Sequence, residues 1–266
     1  MANALSSDIR IHYEVVGSGP PIVLVHGFTQ TLSQWRRQGV VDALVADYQL
    51  ILIDARGHGK SDKPDDVTAY TNALMTSDVI AVLDDLGIDR AHYCGYSMGG
   101  RIGFGVEGHY PDRLHSLIVG VANPDPLPED LLAWFIAGFE QGTAAFMAQL
   151  ESGGRQFPDG FREDVLANDP RAMVAMLEAW KTDPGDVALL PRMTMPSLIF
   201  AGDQDVTNNH DLSRDAAQRM PNATFLSLEG QGHIIPSDLW LPHVQNFLQA
   251  AQRATVSRAT SYTVSR

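Results

Sequence analysis

Short, unbroken hydrophobic runs recur along most of the chain, and helix-like segments separate them. Ile22-Val23-Leu24-Val25 and Leu50-Ile51-Leu52-Ile53 are two such runs, which are typical of parallel strands covered on both faces. Residues 32–46 lie between them and are predicted to form a helix. Because strands alternate with helices, the pattern predicts an α/β fold with a mostly parallel central sheet flanked by helices.

The other elements of this predicted core are read in the same way. Apolar and polar residues alternate over residues 9–16, which indicates a half-buried antiparallel strand. Apolar residues at helical spacing predict a helix at residues 71–86, and Gly87 is placed to end it. Strands are further predicted at residues 91–94, 114–121, 196–201 and 223–228, and helices after Gly100, at residues 211–220 and at residues 240–251.

The pattern changes after Asn123-Pro124-Asp125-Pro126, where strand-like runs stop and aromatic and Met-rich helical segments begin. We therefore predict a helical cap inserted at residues 127–191. The core domain is then formed by residues 1–126 and 192–253. Residues 254–266 are rich in Ser, Thr and Arg and are predicted to form a flexible tail.

Composition narrows the class of protein further. The 266 residues include 19 Lys and Arg against 32 Asp and Glu, and the net charge of −13 argues against nucleic acid or an anionic membrane as partner. Cys94 is the single cysteine, so an internal disulfide is excluded and a reducing compartment is favoured. No secretory signal or membrane-length apolar run is visible, and we expect a soluble, cytoplasmic protein.

Gly95-Tyr96-Ser97-Met98-Gly99 carries the strongest chemical signal. This G-x-S-x-G sequence directly follows a predicted strand and precedes a predicted helix, which is the context in which the motif marks a serine nucleophile. Small residues on both sides of Ser97 allow the tight turn that lifts its hydroxyl above the sheet edge. The helix that follows points its N-terminal amides at the same place, where negative charge develops during acyl transfer.

The chain resembles the α/β-hydrolase superfamily from about Ile9 to Leu248, because further segments occur in that family's order around Ser97. His26-Gly27-Phe28 is similar to the oxyanion loop, and residues 54–62 are similar to the loop after the next strand. Gly202-Asp203-Gln204-Asp205 and Gly230-Gln231-Gly232-His233 are similar to the acid and histidine loops. Within residues 54–62, Asp54, Arg56 and His58 are predicted to stabilise the loop rather than to transfer protons.

The resemblance implies a catalytic triad of Ser97, His233 and Asp205. A serine hydroxyl needs a base within hydrogen-bond reach, and the base needs a partner that fixes its tautomer. The Gly-x-x-Asp spacing selects Asp205 as that partner. Asp203 and Asp125 stay open as alternatives, since the first lies two residues away and the second follows the preceding strand.

The same resemblance implies an oxyanion hole formed by the backbone amides of Phe28 and Met98. Their side chains are then free to shape the substrate pocket. Arg101, one turn inside the helix, is a candidate contact for a substrate carboxylate, with a surface ion pair as the alternative. Trp134 and Phe139 of the cap are candidate apolar contacts.

These expectations define a serine esterase that cleaves a small, fairly apolar carboxylic ester or lactone through an acyl-enzyme, with no cofactor and no metal. An Asp at the position of Ser97 would indicate a dehalogenase or an epoxide hydrolase. One alternative is a C–C bond hydrolase or lyase that uses Ser97 and His233 for proton transfer, because residues 95–101 look somewhat like the elbow of the menaquinone-pathway lyases of this superfamily. Another is a ligand receptor that retains the triad. The oligomeric state is not predicted.

Overall fold

The computed structural model describes residues 2–152, 154 and 156–263, with the backbone alone for residues 254–263. Its strands form one sheet in the order β1-β2-β4-β3-β5-β6-β7-β8, in which β1 and β2 pair antiparallel and the others are parallel. The strands are β1 (Ala2–Ser6), β2 (Ile9–Val16), β3 (Pro21–Val25), β4 (Gln49–Ile53), β5 (Ala91–Tyr96), β6 (Leu114–Gly120), β7 (Ser197–Gly202) and β8 (Ala223–Leu228).

Helices cover both faces of this sheet. Successive strand residues point to opposite faces, so that Val23 and Ile51 join one hydrophobic core while Ile22 and Leu50 join the other. The helices are α1 (Ser33–Arg37), α2 (Val40–Leu44), α3 (Asn72–Asp85), α4 (Met98–His109), α5 (Glu129–Glu140), α6 (Thr143–Glu151), α7 (Phe161–Ala167), α8 (Pro170–Trp180), α9 (His210–Arg219) and α10 (Ser237–Thr263). The predicted α/β fold with a mostly parallel sheet is therefore confirmed.

The largest differences from the predicted elements lie near the two ends of the chain. β1 was not predicted, and residues 32–46 form two short helices instead of one because Gly39 takes a left-handed φ of 69° between them. The last helix extends to Thr263, whereas the sequence predicts a flexible tail from residue 254. Residues 264–266 of that predicted tail lie outside the described residues, and the flexibility of the tail stays a prediction.

Helices α5 to α8 lie between β6 and β7, in the segment predicted to be a cap. The two ends of this segment are held together, since the amide of Asp186 donates to the carbonyl of Pro124 at 2.9 Å. Arg101 of α4 donates to the carbonyls of Asn123, at 3.1 Å, and Asp125. α5 and α8 pack on each other and share a hydrophobic core with α3 and α4 of the sheet layer.

Candidate active site

Ser97 lies in a sharp turn between the end of β5 and the start of α4. Its φ of 52° and ψ of −113° are a strained conformation for a residue with a side chain, and such strain is typical of functional positions. The turn requires its glycines. A Cβ at Gly95 would lie 2.2 Å from the Gly99 carbonyl oxygen, and one at Gly99 would lie 2.0 Å from the oxygen of Val25.

Three side chains predicted to act together form one hydrogen-bonded chain, termed here the Ser–His–Asp cluster (Ser97, His233 and Asp205). Ser97 Oγ lies 2.9 Å from His233 Nε2, and His233 Nδ1 lies 2.8 Å from Asp205 Oδ2. An ionised carboxylate only accepts hydrogen bonds, so Nδ1 carries the proton and Nε2 is left to accept the Ser97 hydroxyl. This arrangement can remove a proton from Ser97.

The surroundings of Asp205 keep it ionised. Burial opposes ionisation, but the hydrogen bond and charge of His233, together with the amides of Asn208 and Thr207, outweigh it and lower the pKa of Asp205. Those amides lie 3.1 Å and 2.8 Å from its Oδ1. The Asp205 side chain is 1% exposed, whereas that of His233 is 24% exposed. His233 therefore faces the cavity with its ionised partner behind it.

The two alternative acids lie elsewhere. Asp203 Oδ1 accepts the amide of Gly230 at 2.7 Å and so fixes the turn that leads to His233. Asp125 lies at the start of the helical segment, where its carbonyl accepts from Arg101. Neither carboxylate is hydrogen-bonded to His233, and among the carboxylates of the described residues Asp205 is the one that contacts that ring.

The loop of residues 26–29, termed here the oxyanion loop, is held by hydrogen bonds to several neighbouring segments. Gly27 donates its amide to Gln34 Oε1 at 3.0 Å, and Thr29 donates its amide to His58 Nε2 at 3.1 Å. The backbone amide of Gln30 donates to the Gly27 carbonyl at 3.1 Å, and the backbone amide of Gly99 donates to the His26 carbonyl at 3.2 Å. Within the described residues, the amides of Phe28 and Met98 have no acceptor. Both are available to a substrate oxygen.

Two buried histidines lie beneath the oxyanion loop, with ring centroids 5.1 Å apart. His26 Nε2 accepts the amide of Ala55 at 3.1 Å, so its Nδ1 carries the proton and donates to the Gly27 carbonyl at 2.8 Å. His58 Nε2 accepts from Thr29, and its Nδ1 donates to the carbonyl of Arg56 at 3.1 Å. Burial lowers the pKa of both histidines, and each ring is a fixed neutral support.

The segment of residues 54–62 contains the other two groups predicted to stabilise it. Asp54 accepts amides from Leu32 at 2.8 Å and Lys60 at 2.9 Å. Arg56 is 1% exposed and forms a two-point ion pair with Asp78 of α3. These contacts tie the loop after β4 to α1 and α3, and none of them reaches Ser97.

A cavity of about 610 Å³ opens above Ser97 and His233. Helices α5, α6 and α8 contribute the apolar part of its wall, and the segment from the oxyanion loop to α1 contributes a polar part. Apolar lining residues include Leu132, Phe135, Phe146, Leu150, Leu177 and Trp180. The cavity can therefore hold a mostly apolar group next to the serine.

Trp134 and Phe139, the two predicted apolar contacts, are not among the described residues that line this cavity. Phe139 is 1% exposed and stacks on Phe146 at 4.0 Å, while Trp134 is 41% exposed. Both flank Phe135, which does line the cavity. Adjacent side chains on α5 point in different directions, whereas side chains four residues apart lie on the same face of the helix. The sequence pattern does not show which residue of that face lines the cavity.

Arg101 lines the cavity, but its guanidinium group is engaged with the protein. Besides its bonds to two carbonyls, it forms an ion pair with Asp183 at 3.2 Å, and its side chain is 9% exposed. An ion pair is thus present, but it is buried, whereas the alternative reading of the sequence expected one on the surface. Contact between Arg101 and a substrate stays a prediction.

Sequence reasoning did not single out the polar residues of the cavity wall. Gln30, Gln34 and Gln38 all line it and are spaced four residues apart, a signal that is visible in the sequence. Asn208 also lines the cavity, and its Nδ2 lies 3.5 Å from His233 Nδ1. No comparable spacing marks Asn208.

Comparisons with known proteins agree with the fold. Residues 20–172 match the family described by the alpha/beta hydrolase fold, and the chain belongs to that family. It is a hydrolase by this membership and by its relatives. Within the described residues, no helix has the length and apolar character needed to cross a membrane.

Three relatives illustrate the range of reactions nearby. The chain is 31% identical to a pimeloyl-[acyl-carrier protein] methyl ester esterase from Aeromonas hydrophila over 91% of this chain and 97% of that protein. It is 28% identical to a fluoroacetate dehalogenase from a Burkholderia species, with 85% of each covered. The structure of an enol-lactonase from Burkholderia xenovorans LB400 superposes with a TM-score of 0.82 at 25% identity, covering 93% of this chain and 100% of that one.

Proposed function

We propose that this hydrolase cleaves a carboxylic ester or lactone through an acyl-enzyme formed on Ser97. The observation that carries the proposal is the hydrogen-bonded chain from Ser97 Oγ through His233 to the buried Asp205, next to two amides that have no acceptor among the described residues. A nucleophile, a base and donors for a developing oxyanion are what acyl transfer requires. The esterase and lactonase among the relatives support the same class of substrate.

The first half-reaction forms the acyl-enzyme. Ser97 Oγ attacks the substrate carbonyl carbon while His233 Nε2 takes the hydroxyl proton, and the carbonyl oxygen becomes an oxyanion held by the amides of Phe28 and Met98. Asp205 stabilises the imidazolium without taking its proton. When the tetrahedral intermediate collapses, the C–O bond to the leaving alcohol breaks and His233 returns the proton to that oxygen. A lactone keeps this alcohol attached to the acyl group.

The second half-reaction uses the same groups. His233 takes a proton from water, the resulting hydroxide attacks the acyl carbonyl, and the same two amides hold the second oxyanion. Collapse of this intermediate releases the carboxylic acid and returns the proton to Ser97 Oγ. Water is the only co-reactant.

The nucleophile argues against the reaction of the dehalogenase relative. Ser97 occupies the position where an Asp would indicate a dehalogenase or an epoxide hydrolase. The alternative of a C–C bond hydrolase or lyase drew its support from Arg101 as a carboxylate ligand, and that guanidinium is already ion-paired. Ester or lactone cleavage is the reaction that these groups favour.

A substrate panel tests the proposal. Purified protein is assayed against p-nitrophenyl esters of graded acyl length, an aliphatic lactone and a β-diketone, with the Ser97→Ala variant as the matched blank. Turnover of esters or the lactone that Ser97→Ala abolishes is the expected result. Turnover of the β-diketone alone would establish C–C bond cleavage instead, and binding without any turnover would indicate a receptor.

A further inference from the structure

The oxyanion loop contains a turn that its own residues do not favour. The backbone amide of Gln30 donates to the carbonyl of Gly27, which closes a four-residue turn with Phe28 and Thr29 at its centre. Thr29 has a φ of 67°, a left-handed conformation that glycine adopts readily and a β-branched residue does not. Such a strained conformation persists only where the surrounding structure holds it.

Both backbone polar groups of Thr29 are held from outside the turn. Its amide donates to His58 Nε2 at 3.1 Å, and its carbonyl accepts from Asn168 Nδ2 at 2.9 Å. Asn168 ends α7, so this second contact joins the helices between β6 and β7 to the oxyanion loop. Thr29 is 3% exposed and Asn168 is 7% exposed, so the hydrogen bond between them is shielded from water.

The neighbours of the Asn168 side chain fix its orientation. Besides the Thr29 carbonyl, Nδ2 contacts the carbonyls of Asp164 at 2.8 Å and Val165 at 3.5 Å. All three neighbours are acceptors, so the nitrogen of the side-chain amide must face them. Asn168 thus uses one N–H on its own helix and the other on Thr29.

Phe28, the other central residue of the turn, contacts the same helices through its ring. The ring centroid lies 5.9 Å from those of Phe135 and Phe139 on α5 and 5.3 Å from that of Trp180 on α8. Because a peptide unit is planar, the hydrogen bond on the Gly27 carbonyl also sets the direction of the Phe28 N–H. The conformation of the turn therefore decides whether this amide can face a substrate oxygen.

We propose that Asn168 is a positioning residue for the oxyanion hole, which it keeps assembled by holding Thr29 in the left-handed conformation. The inference rests on the proposed acyl transfer and adds that α7 contributes to its rate. Without the Asn168 donor, Thr29 relaxes away from the positive φ and the Phe28 amide turns away from the oxyanion. The loss is felt in the transition state, so kcat falls while KM changes little.

Asn168→Leu tests the inference, because leucine has a similar branched shape and no donor. The substrate is the p-nitrophenyl ester that the panel turns over fastest, and the probe is the trifluoromethyl ketone with the same acyl chain. Ser97 Oγ adds to the ketone carbon, its proton passes to His233, and the ketone oxygen becomes an anion in the oxyanion hole. We expect kcat and ketone affinity each to fall about tenfold, less than the roughly 100-fold cost of losing a donor outright, with KM changing less than about twofold.

Two further changes show whether the effect passes through the turn. Glycine adopts the left-handed φ without strain, so in a Thr29→Gly background Asn168→Leu should lower kcat by less than about threefold. Asn168→His places a ring N–H the same number of bonds from the backbone as Nδ2 and should recover part of the lost kcat. Thermal melts report folding, and Asn168→Ala replaces Asn168→Leu in both comparisons if the leucine variant is unfolded.

Thr31→Val is the matched control. Thr31 Oγ1 donates to Asp164 Oδ1 at 3.3 Å, so this side chain also joins α7 to the core, but from the residue after the turn. Valine keeps the shape and lacks the hydroxyl. We expect kcat and ketone affinity of Thr31→Val to match those of the parent, whereas a general loosening of α7 would lower both.

The outcomes separate this inference from the proposed function. A folded Asn168→Leu variant with the parent kcat, or one that raises KM alone, overturns the inference and leaves ester cleavage standing. Equal losses in Asn168→Leu and Thr31→Val, or an undiminished loss in the Thr29→Gly background, also overturn it, because they assign the effect to packing of α7. Absence of turnover of every ester and lactone by the parent overturns the proposed function and the inference with it.

Discussion

Histidine occupies two regions near Ser97, and the comparison shows what separates a support from a base. In the oxyanion-loop region, His26 and His58 use both ring nitrogens on backbone groups. In the Ser–His–Asp cluster, one nitrogen of His233 contacts a carboxylate and the other a side-chain hydroxyl. The imidazole is the same, and its partners decide whether a proton can move.

Solvent and charge reinforce this difference. His26 and His58 are fully enclosed, with 0% of each residue exposed, and burial lowers the pKa of each. His233 is partly open to the cavity and has an ionised Asp205 behind it. A positive charge on His233 is therefore stabilised, whereas a positive charge on either buried ring is not.

The largest expected effect is on the base. His233→Ala should lower ester kcat by about 10⁶-fold, because both half-reactions lose their proton acceptor. His210→Ala is the matched control, since its ring contacts Ser227 and Asp211 on the surface and is absent from the cavity wall described above. Steady-state kinetics and a thermal melt of each variant provide the measurement. A His233→Ala variant that acylates at the parent rate would refute the proposed base.

Replacing the acid should have the next largest effect. Asp205→Asn removes the charge that holds the imidazolium and its tautomer, and kcat should fall by about 10⁴-fold. Asp203→Asn weakens only a turn contact and should change kcat little. The ranking of these two variants, with Asp125→Asn as a third, is the test. If Asp125→Asn were the most damaging, the acid would have to be reassigned.

A substitution beneath the oxyanion loop should damage stability more clearly than chemistry. His58→Leu leaves the Thr29 amide buried without an acceptor, at a cost of about 1–3 kcal/mol in the free energy of unfolding. The loosened loop should lower kcat by less than the roughly 100-fold cost of losing an oxyanion donor. His58→Gln restores an acceptor oxygen and should recover part of both losses. Urea unfolding and kcat are measured on the same preparations, and equal behaviour of the two variants would exclude this hydrogen bond as the cause.

The smallest expected effect is a pH dependence of stability. The folded-state pKa of His26 and of His58 lies below the unfolded value of about 6.5, so the unfolded chain binds protons first as the pH falls. The contribution of these two neutral histidines to the free energy of unfolding is fully present above about pH 6.5. It is lost as the pH falls towards the folded pKa, at up to about 1.4 kcal/mol per pH unit for each ring. In urea titrations at several pH values, the stability gap between the parent and His58→Gln should narrow below pH 6.5. A stability difference between the two proteins that stays constant from about pH 8 to about pH 5 would contradict this prediction.

The elements that the sequence predicted well are those whose residue pattern by itself requires a particular degree of burial. Ile22 to Val25 and Leu50 to Ile53 are apolar at every position, and such runs are stable only between two covered faces. β1 was missed because Asn3 and Ser6 lend it no such pattern, and its strand conformation depends on pairing with β2. The break between α1 and α2 was missed because a glycine inside a helical pattern is tolerated, and the left-handed φ of Gly39 is visible only in the structure.

The same distinction applies to the site. The approach of Ser97, Asp205 and His233 was predicted because the turn residues around each are diagnostic in sequence. Phe135 and Phe139 lie on one helix and differ only in which neighbours the fold brings to them, so that one lines the cavity and the other stacks on Phe146. The spacing of aromatic residues in the sequence does not distinguish a residue that lines the cavity from one that packs inside the helical segment.

The paired ends of the helical segment have a consequence for how this protein can be rebuilt. Asp186 bonds to Pro124, and Arg101 fastens both ends to α4, so the segment leaves the sheet and returns to it at neighbouring points. A piece of chain with adjacent ends can be replaced by one of another length at a small cost in loop-closure entropy. Exchanging the residues between Pro124 and Asp186 would replace the helices that line the cavity and leave Ser97 in place. This junction is therefore the natural boundary for engineered chimeras with altered substrate range.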